Sequence, residues 1–336
     1  MILYNVTVSV NQECANDWVK YMMEDHIPEV LATGHFRDFR LCHVQGEAEG
    51  GVTFAVQYMA RDVEAFEAYQ RDCAPALQAD HQAKWGSKAV AYRTVLPLIA
   101  EGITKHRGCT DVLEVGPGTG ALTRPLLQRG DLDVRAVELD DESVAYLTSQ
   151  GVLSEDRVFG VDLLKWNPDE AFPGGAPFIV AGNFPYNISS QILFRVLDWR
   201  DRVPECVGMF QKEVAERVAE GPGSKTYGIL SVLLQSYYDI EYLFTVHENA
   251  FDPPPKVKSG VIRLVRNDVT DLPHGITFEH FRRVVKAAFS QRRKTLRNSI
   301  KSEGFDATLI PEPFKSQRAE QLSVAEFHEL AAALQG

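Results

Sequence analysis

Asp111-Val112-Leu113-Glu114-Val115-Gly116-Pro117-Gly118-Thr119-Gly120 is the stretch on which the fold turns. It reads as a short buried strand running into a glycine loop at the start of a helix, where the backbone can approach a ligand closely and free N–H groups are on offer. Alone it leaves alternatives open. Gly116, Gly118 and Ala121 also satisfy the G-x-G-x-x-G/A pattern of dinucleotide sites, and a tight strand-to-helix turn uses glycines too.

Downstream, short apolar segments alternate with helical ones. Strands are expected over 111–115, 133–138, 157–160, 177–181 and 205–210, with helices starting near Gly120, Asp141 and Ser189. That alternation predicts a parallel sheet covered on both faces. A helix over 227–237 and strands over 240–246 and 260–266 follow, and the chain then turns helical over 278–289, 291–301 and 323–334, the last capped by Ser323. Upstream, strands over 2–10, 36–44, 52–58 and 88–95 are interleaved with helices over 13–31 and after the N-cap candidate Asp62. The order β-α-β-β-α-β predicts a ferredoxin-like α+β unit. Three units are expected: 1–97, 98–266 and 267–336.

The 336 residues carry a net charge of -11, which argues against a polyanionic partner until the distribution is inspected. Arg282, Arg283, Lys286, Arg292, Arg293, Lys294, Arg297 and Lys301 fall within twenty residues that contain no acid. A local cationic surface for nucleic acid is expected there, centred on Arg292, Arg293, Lys294 and Arg297. The five cysteines are far apart and form no C-x-x-C pair, so reduced thiols in a cytoplasmic protein are expected and no metal site. His26, His35 and Glu24 lack metal-ligand spacing. No membrane span and no leader segment is read.

Glu138 closes the second strand where a carboxylate can hold ribose hydroxyls, and Asp162 follows the third, where one can face an adenine amino group. Nicotinamide cofactors and S-adenosylmethionine both fit so far. The fourth strand ends in Asn183-Phe184-Pro185-Tyr186-Asn187, which is poorly suited to hydride transfer. It suits methylation of a planar exocyclic amine. The Asn183 oxygen and a backbone carbonyl can accept both amino hydrogens and align the nitrogen lone pair with a sulfonium methyl. Pro185 stiffens the turn and Tyr186 can stack on a flipped base.

With these elements in place, residues from about 111 to 333 resemble the small-subunit (16S) ribosomal RNA adenine N6,N6-dimethyltransferases. The resemblance takes in the Glu114–Gly120 loop, Glu138, Asp162 and the run Asn183 to Ser189. It extends through Gln211-Lys212-Glu213-Val214-Ala215, Phe251-Asp252-Pro253-Pro254-Pro255-Lys256-Val257 and Phe289 to Asn298. It implies a Rossmann-like class I methyltransferase domain followed by a small helical domain. The implied reaction is S-adenosylmethionine-dependent dimethylation of adjacent adenosines near the 3′ end of small-subunit rRNA in the immature small subunit. Glu114, Gly116, Gly118, Gly120, Glu138, Asp162 and Asn183 are the implied donor-binding residues. Asn183, Phe184, Pro185, Tyr186 and a second stacking aromatic, Phe251, are the implied catalytic set.

Two alternatives accompany this reading: a large-subunit rRNA adenine methyltransferase of the macrolide-resistance type, and a non-catalytic ribosome assembly factor. Members of the resembled family usually carry a Gln-His-Phe-Leu stretch and a helix that close over the donor. Here the corresponding region reads His81-Gln82-Ala83-Lys84-Trp85 and then the last strand of the ferredoxin-like unit. An open donor pocket and weak donor binding are expected, with catalysis lost if nothing replaces the lid. The N-terminal unit resembles uncharacterised dimeric α+β barrel proteins, which implies a homodimer through it.

Overall fold

The computed structural model describes residues 2–48, 51–94, 96–246 and 257–335. The first sheet contains β1 (Ile2–Asn11), β2 (Phe36–Ala48), β3 (Gly51–Ala60) and β4 (Ala89–Thr94), ordered β2-β3-β1-β4 and wholly antiparallel. Helices α1 (Ala15–Tyr21), α2 (Ile27–Ala32), α3 (Val63–Asp72) and α4 (Ala74–Trp85) accompany it. This is the ferredoxin-like order. Tyr4, Val8 and Val10 of β1 share a buried core with Trp18, Ile27 and Phe66 from the helices.

The helix expected over 13–31 passes through a wide turn, Met22–His26, before α2. Pro28 lacks the N–H that would bond the Glu24 carbonyl, so the regular ladder cannot continue there. The helix after Asp62 is likewise two helices, broken at Cys73 just before Pro75. Asp62 caps the first as expected, accepting from the Ala65 N–H at 2.8 Å.

After β4, α5 (Leu96–Gly102) packs between β1 of the first sheet and strands of the second. The second sheet contains β5 (Asp111–Val115), β6 (Asp133–Glu138), β7 (Val158–Gly160), β8 (Ile179–Asn183), β9 (Glu205–Gln211), β10 (Tyr238–Val246) and β11 (Ser259–Arg266). Its order is β10-β11-β9-β8-β5-β6-β7, parallel from β9 to β7 and antiparallel at β11 and β10. Helices α6 (Thr123–Gln128), α7 (Asp141–Ser149), α8 (Ser189–Asp198), α9 (Lys212–Ala219) and α10 (Ile229–Gln235) lie between the strands. The strand run from β5 to β7 goes one way and the run from β5 to β8 and β9 the other. The chain therefore reverses at β5, and the loops after β5 and β8 emerge side by side.

The C-terminal helices are α11 (Phe278–Phe289), α12 (Leu296–Ser302), α13 (Glu312–Lys315) and α14 (Val324–Ala333). Ser323 and Glu326 form the capping box of α14. Phe281, Val284, Val285, Leu296, Ile300, Phe327 and Leu330 join the same core as α8 and α10, so these helices are packed onto the second sheet's layer. The helix expected over 291–301 is only α12, because Gln291–Lys294 is a turn closed by Lys294 N–H to Gln291 O at 2.9 Å. Four successive polar residues offer no apolar face to hold a helix against the core. No helix among the described residues is long and apolar enough to cross a membrane.

Candidate active site

The Gly116–Gly120 loop is built from three glycines with positive φ, +68° at Gly116, +55° at Gly118 and +85° at Gly120. Two of them face different tasks. Gly118 has open space where a Cβ would stand, whereas a Cβ on Gly120 would lie 3.0 Å from Leu147 and 3.2 Å from Val152, so Gly120 allows close packing onto α7. Gly116 faces the second loop: its Cβ would lie 3.8 Å from Pro185 Cδ. The turns after β5 and β8 thus lie side by side.

Below the loop Glu114 is 1% exposed, with the Thr123 hydroxyl and backbone beside its carboxyl. Burial pushes the Glu114 carboxyl up to about 8, with the Glu138 charge adding to the rise. Glu138 bridges its own turn and the glycine loop. Its Oε2 accepts from the Gly118 N–H at 3.0 Å, and its Oε1 accepts from Leu139 N–H at 2.7 Å and Asp140 N–H at 3.0 Å. Asp162 Oδ1 accepts from Leu164 N–H at 3.0 Å. Glu138 pairs with Gly160 across β6 and β7, which places the Glu138 and Asp162 carboxylates at one edge of the sheet beside the glycine loop.

At the end of β8 Asn183 is exposed while Phe184 is 1% exposed. The Phe184 ring points back under the sheet, 4.6 Å from Phe210 centroid to centroid. It fills the space that side chains on Gly182 and Gly208 would need: a Cβ on Gly208 would stand 2.0 Å from Phe184 Cε2. Phe184 is therefore an anchor of the loop and presents no ring to a substrate. Its N–H donates to Met209 O at 3.0 Å, fixing the turn to β9. The Pro185 carbonyl already accepts from Ile188 N–H at 3.2 Å and Ser189 Oγ at 3.0 Å. Tyr186 is half-buried, and its hydroxyl lies 2.5 Å from Ser259 Oγ on β11. Phe251 lies outside the described residues. No sequence signal marks Ser259; Gly182 and Gly208, aligned across β8 and β9, are marked only as glycines in neighbouring strands.

A family model described as ribosomal RNA adenine dimethylase matches residues 84–335. The chain belongs to the ribosomal RNA adenine dimethylase family. A second model, described as a domain of unknown function, matches residues 1–99. Similar proteins include the ribosomal RNA small subunit methyltransferase A of Phocaeicola vulgatus, 55% identical over 66% of this chain and 79% of that one. The protein of the same name from Cytophaga hutchinsonii is 52% identical over 71% of this chain and 91% of its own. Among solved structures, a dimethyladenosine transferase from Plasmodium falciparum superposes with a TM-score of 0.56 at 24% identity, over 70% of this chain and 94% of its own, which supports the fold.

As a member of this dimethylase family the chain takes its methyl groups from S-adenosylmethionine. The site fits that donor. The Glu114 carboxyl is buried beneath the loop, Gly118 is open, and the Glu138 and Asp162 carboxylates lie at or just beyond the ends of the next two strands. No group of three or more potential metal ligands occurs among the described residues. The two family matches overlap at 84–99, where β4 gives way to α5. Ile99 and Ala100 of α5 and Ile103 just beyond it are buried, and a Cβ on Gly102 would lie 3.2 Å from Val207. Helix α5 thus covers the sheet face.

The cationic segment of the dimethylase divides in two. Arg292 Nη2 donates to Lys225 O at 2.6 Å and Tyr227 O at 3.0 Å, so it fastens the C-terminal helices to the turn before α10 and is not a free phosphate ligand. Arg293, Lys294 and Arg297 are exposed and form no ion pair with an acid among the described residues. Arg282 and Arg283 lie over the Phe194 and Phe305 rings. Beside α8 runs a groove of ≈ 560 Å³ lined by Ser190, Phe194, Arg217, Lys286, Phe289 and Arg292 among others. By contrast, the cavity inside the N-terminal unit, bordered by Tyr4, Tyr58, His26 and His81, measures ≈ 30 Å³, room for one or two waters.

Proposed function

We propose that this chain dimethylates, at N6, two adjacent adenosines near the 3′ end of small-subunit rRNA while the subunit is immature. The observation that carries the reading is the position of Asn183: exposed at the end of β8, next to a proline that faces the donor loop, and held there by the buried Phe184 ring. The donor supplies a methyl group on a positively charged sulfur. Asn183 Oδ1 accepts one amino hydrogen of the target base. Because the Pro185 carbonyl is already occupied, the Phe184 carbonyl accepts the other. Together they hold the amine with its lone pair directed at the methyl carbon, so catalysis is chiefly positioning. Tyr186 stacks on the base, and Phe251 is assigned its opposite face.

We further assign residues 1–97 to the ferredoxin-like unit, 98–266 to the catalytic domain and 267–336 to the RNA-facing domain. Arg293, Lys294 and Arg297 contact phosphates, with the groove beside α8 as the path of the strand. A homodimer through the N-terminal unit is part of the proposal and is checked by sedimentation velocity. Incubation with immature small subunits and labelled methyl donor, followed by mapping of the modified bases, tests the function. Two neighbouring dimethyladenosines are expected. Label confined to large-subunit rRNA, or no label at all, would overturn the reading.

A further inference from the structure

We propose that Ser259 is a positioning residue for Tyr186, setting the angle at which that ring meets the target base; this rests on the function proposed above. The two residues are separated by 73 positions yet lie 2.5 Å apart, hydroxyl to hydroxyl. The register of the sheet explains the meeting. Asn183 is aligned with Met209 across β8 and β9, and Ser259 with Gln211 across β9 and β11. The first residue of β11 therefore sits at the carboxyl edge of the parallel strands, two strands from β8 with β9 between.

Ser259 is 0% exposed and its backbone is held on both sides, by Gln211 of β9 and Val246 of β10. The next residue fixes it further. A Cβ on Gly260 would come within 2.7 Å of the Tyr242 hydroxyl and 2.8 Å of Ala215 Cβ, so β11 is pressed against β10 and α9 with no slack. Tyr186 has the opposite character. It is half-buried on a turn and is free to rotate about its side-chain bonds unless its far end is tied. The hydrogen bond to an immobile serine supplies that tie and leaves the faces of the ring for stacking. A polar atom as deeply buried as Ser259 Oγ also needs a partner, and Tyr186 is the one it has in the hydrogen bonds described.

The inference separates from a purely structural role for Ser259 through a double-mutant cycle on the full chain with immature small subunits and S-adenosylmethionine. Ser259→Ala and Tyr186→Phe each remove one hydroxyl and leave the ring and the strand in place. Each is expected to lower turnover roughly 10- to 100-fold, the scale of a misplaced reacting group. Donor affinity is expected to stay within about twofold. The double variant is expected to be no slower than the slower single, because both remove the same bond. Full turnover in Ser259→Ala, losses that multiply in the double variant, or a parallel loss of donor binding and thermal stability would overturn the inference alone. Should the unmodified chain transfer no methyl group to the subunits, the underlying function falls and the inference with it. Tyr186 lies half-buried on a turn, so Tyr186→Phe gives an answer even if Ser259→Ala fails to fold.

Discussion

Glu67 on α3 accepts a hydrogen bond from the Thr245 backbone N–H at 2.9 Å, so the N-terminal unit holds the end of a strand in the catalytic sheet. Strand β10 is an edge strand, and its outward N–H groups need cover. The Thr245 side chain in turn bonds the Tyr242 hydroxyl at 2.9 Å, the same hydroxyl that crowds Gly260. The fused unit is thereby built into the scaffold beside the proposed active site.

Replacing Glu67 by Ala leaves that N–H without its partner. A loss of about 1–2 kcal/mol is expected, read as a lower unfolding midpoint together with faster hydrogen exchange at the Thr245 amide. An amide that exchanges no faster would show that the contact contributes nothing to holding the units together.

Asn183→Ala is expected to lower methyl transfer by roughly 10²-fold or more, on the scale of removing one preorganised polar group from a transition state. Donor binding should change little, since the side chain acts on the acceptor amine. Calorimetric titration of the donor alongside single-turnover transfer measures both. Transfer at the unmodified rate would remove Asn183 from the mechanism.

The buried Glu114 makes stability depend on pH in a defined direction. Its carboxyl titrates at about 8 in the folded chain against an ordinary 4.5, so the folded state keeps a proton that the unfolded state releases between those values. Stability from this group is therefore greatest below about 4.5 and falls as pH rises towards 8. Glu114→Gln should flatten the fall, by at most about 5 kcal/mol from the size of the shift. Urea unfolding at pH 5 and pH 8 compares the two, and an equal pH dependence in both chains would contradict it.

Gly208→Ala places a methyl 2.0 Å from Phe184 Cε2 and 2.7 Å from the Gly182 carbonyl oxygen. A destabilisation of about 3 kcal/mol is expected. Adding Phe184→Ala should relieve the ring clash and make the second change less costly in the Gly208→Ala background than alone. Denaturant titration of the four chains shows whether the ring and the glycine are coupled in this way.

The two halves of the cationic segment should respond differently. Replacing Arg293, Lys294 and Arg297 by Ala is expected to flatten the salt dependence of rRNA binding by up to about 0.9 in slope per lost phosphate contact, with the unfolding midpoint unchanged. Arg292→Ala should lower that midpoint, because its guanidinium bonds two main-chain carbonyls. Filter binding across a salt series and thermal unfolding of both variants separate them. A midpoint unmoved by Arg292→Ala would return that residue to the RNA surface.

What the sequence determined by itself is local. The alternation of short apolar strands with helices specifies a parallel sheet, because each strand must be buried on both faces. The glycine loop and the Asn183–Asn187 run then fall at strand ends, where backbone groups are unpaired. Capping residues such as Asp62 and Ser323 state helix starts within three residues of themselves. Tertiary structure decided what depends on distant partners. Phe184 turns inward because Gly182 and Gly208, on neighbouring strands, leave room for a ring there and for nothing else. Arg292 is drawn from the phosphate surface by two carbonyls more than 60 positions away. Tyr186 meets Ser259, and Glu67 meets Thr245, only once the sheet register has brought them together. Periodicity reports which face a residue shows; which neighbour it finds there is set by strand order.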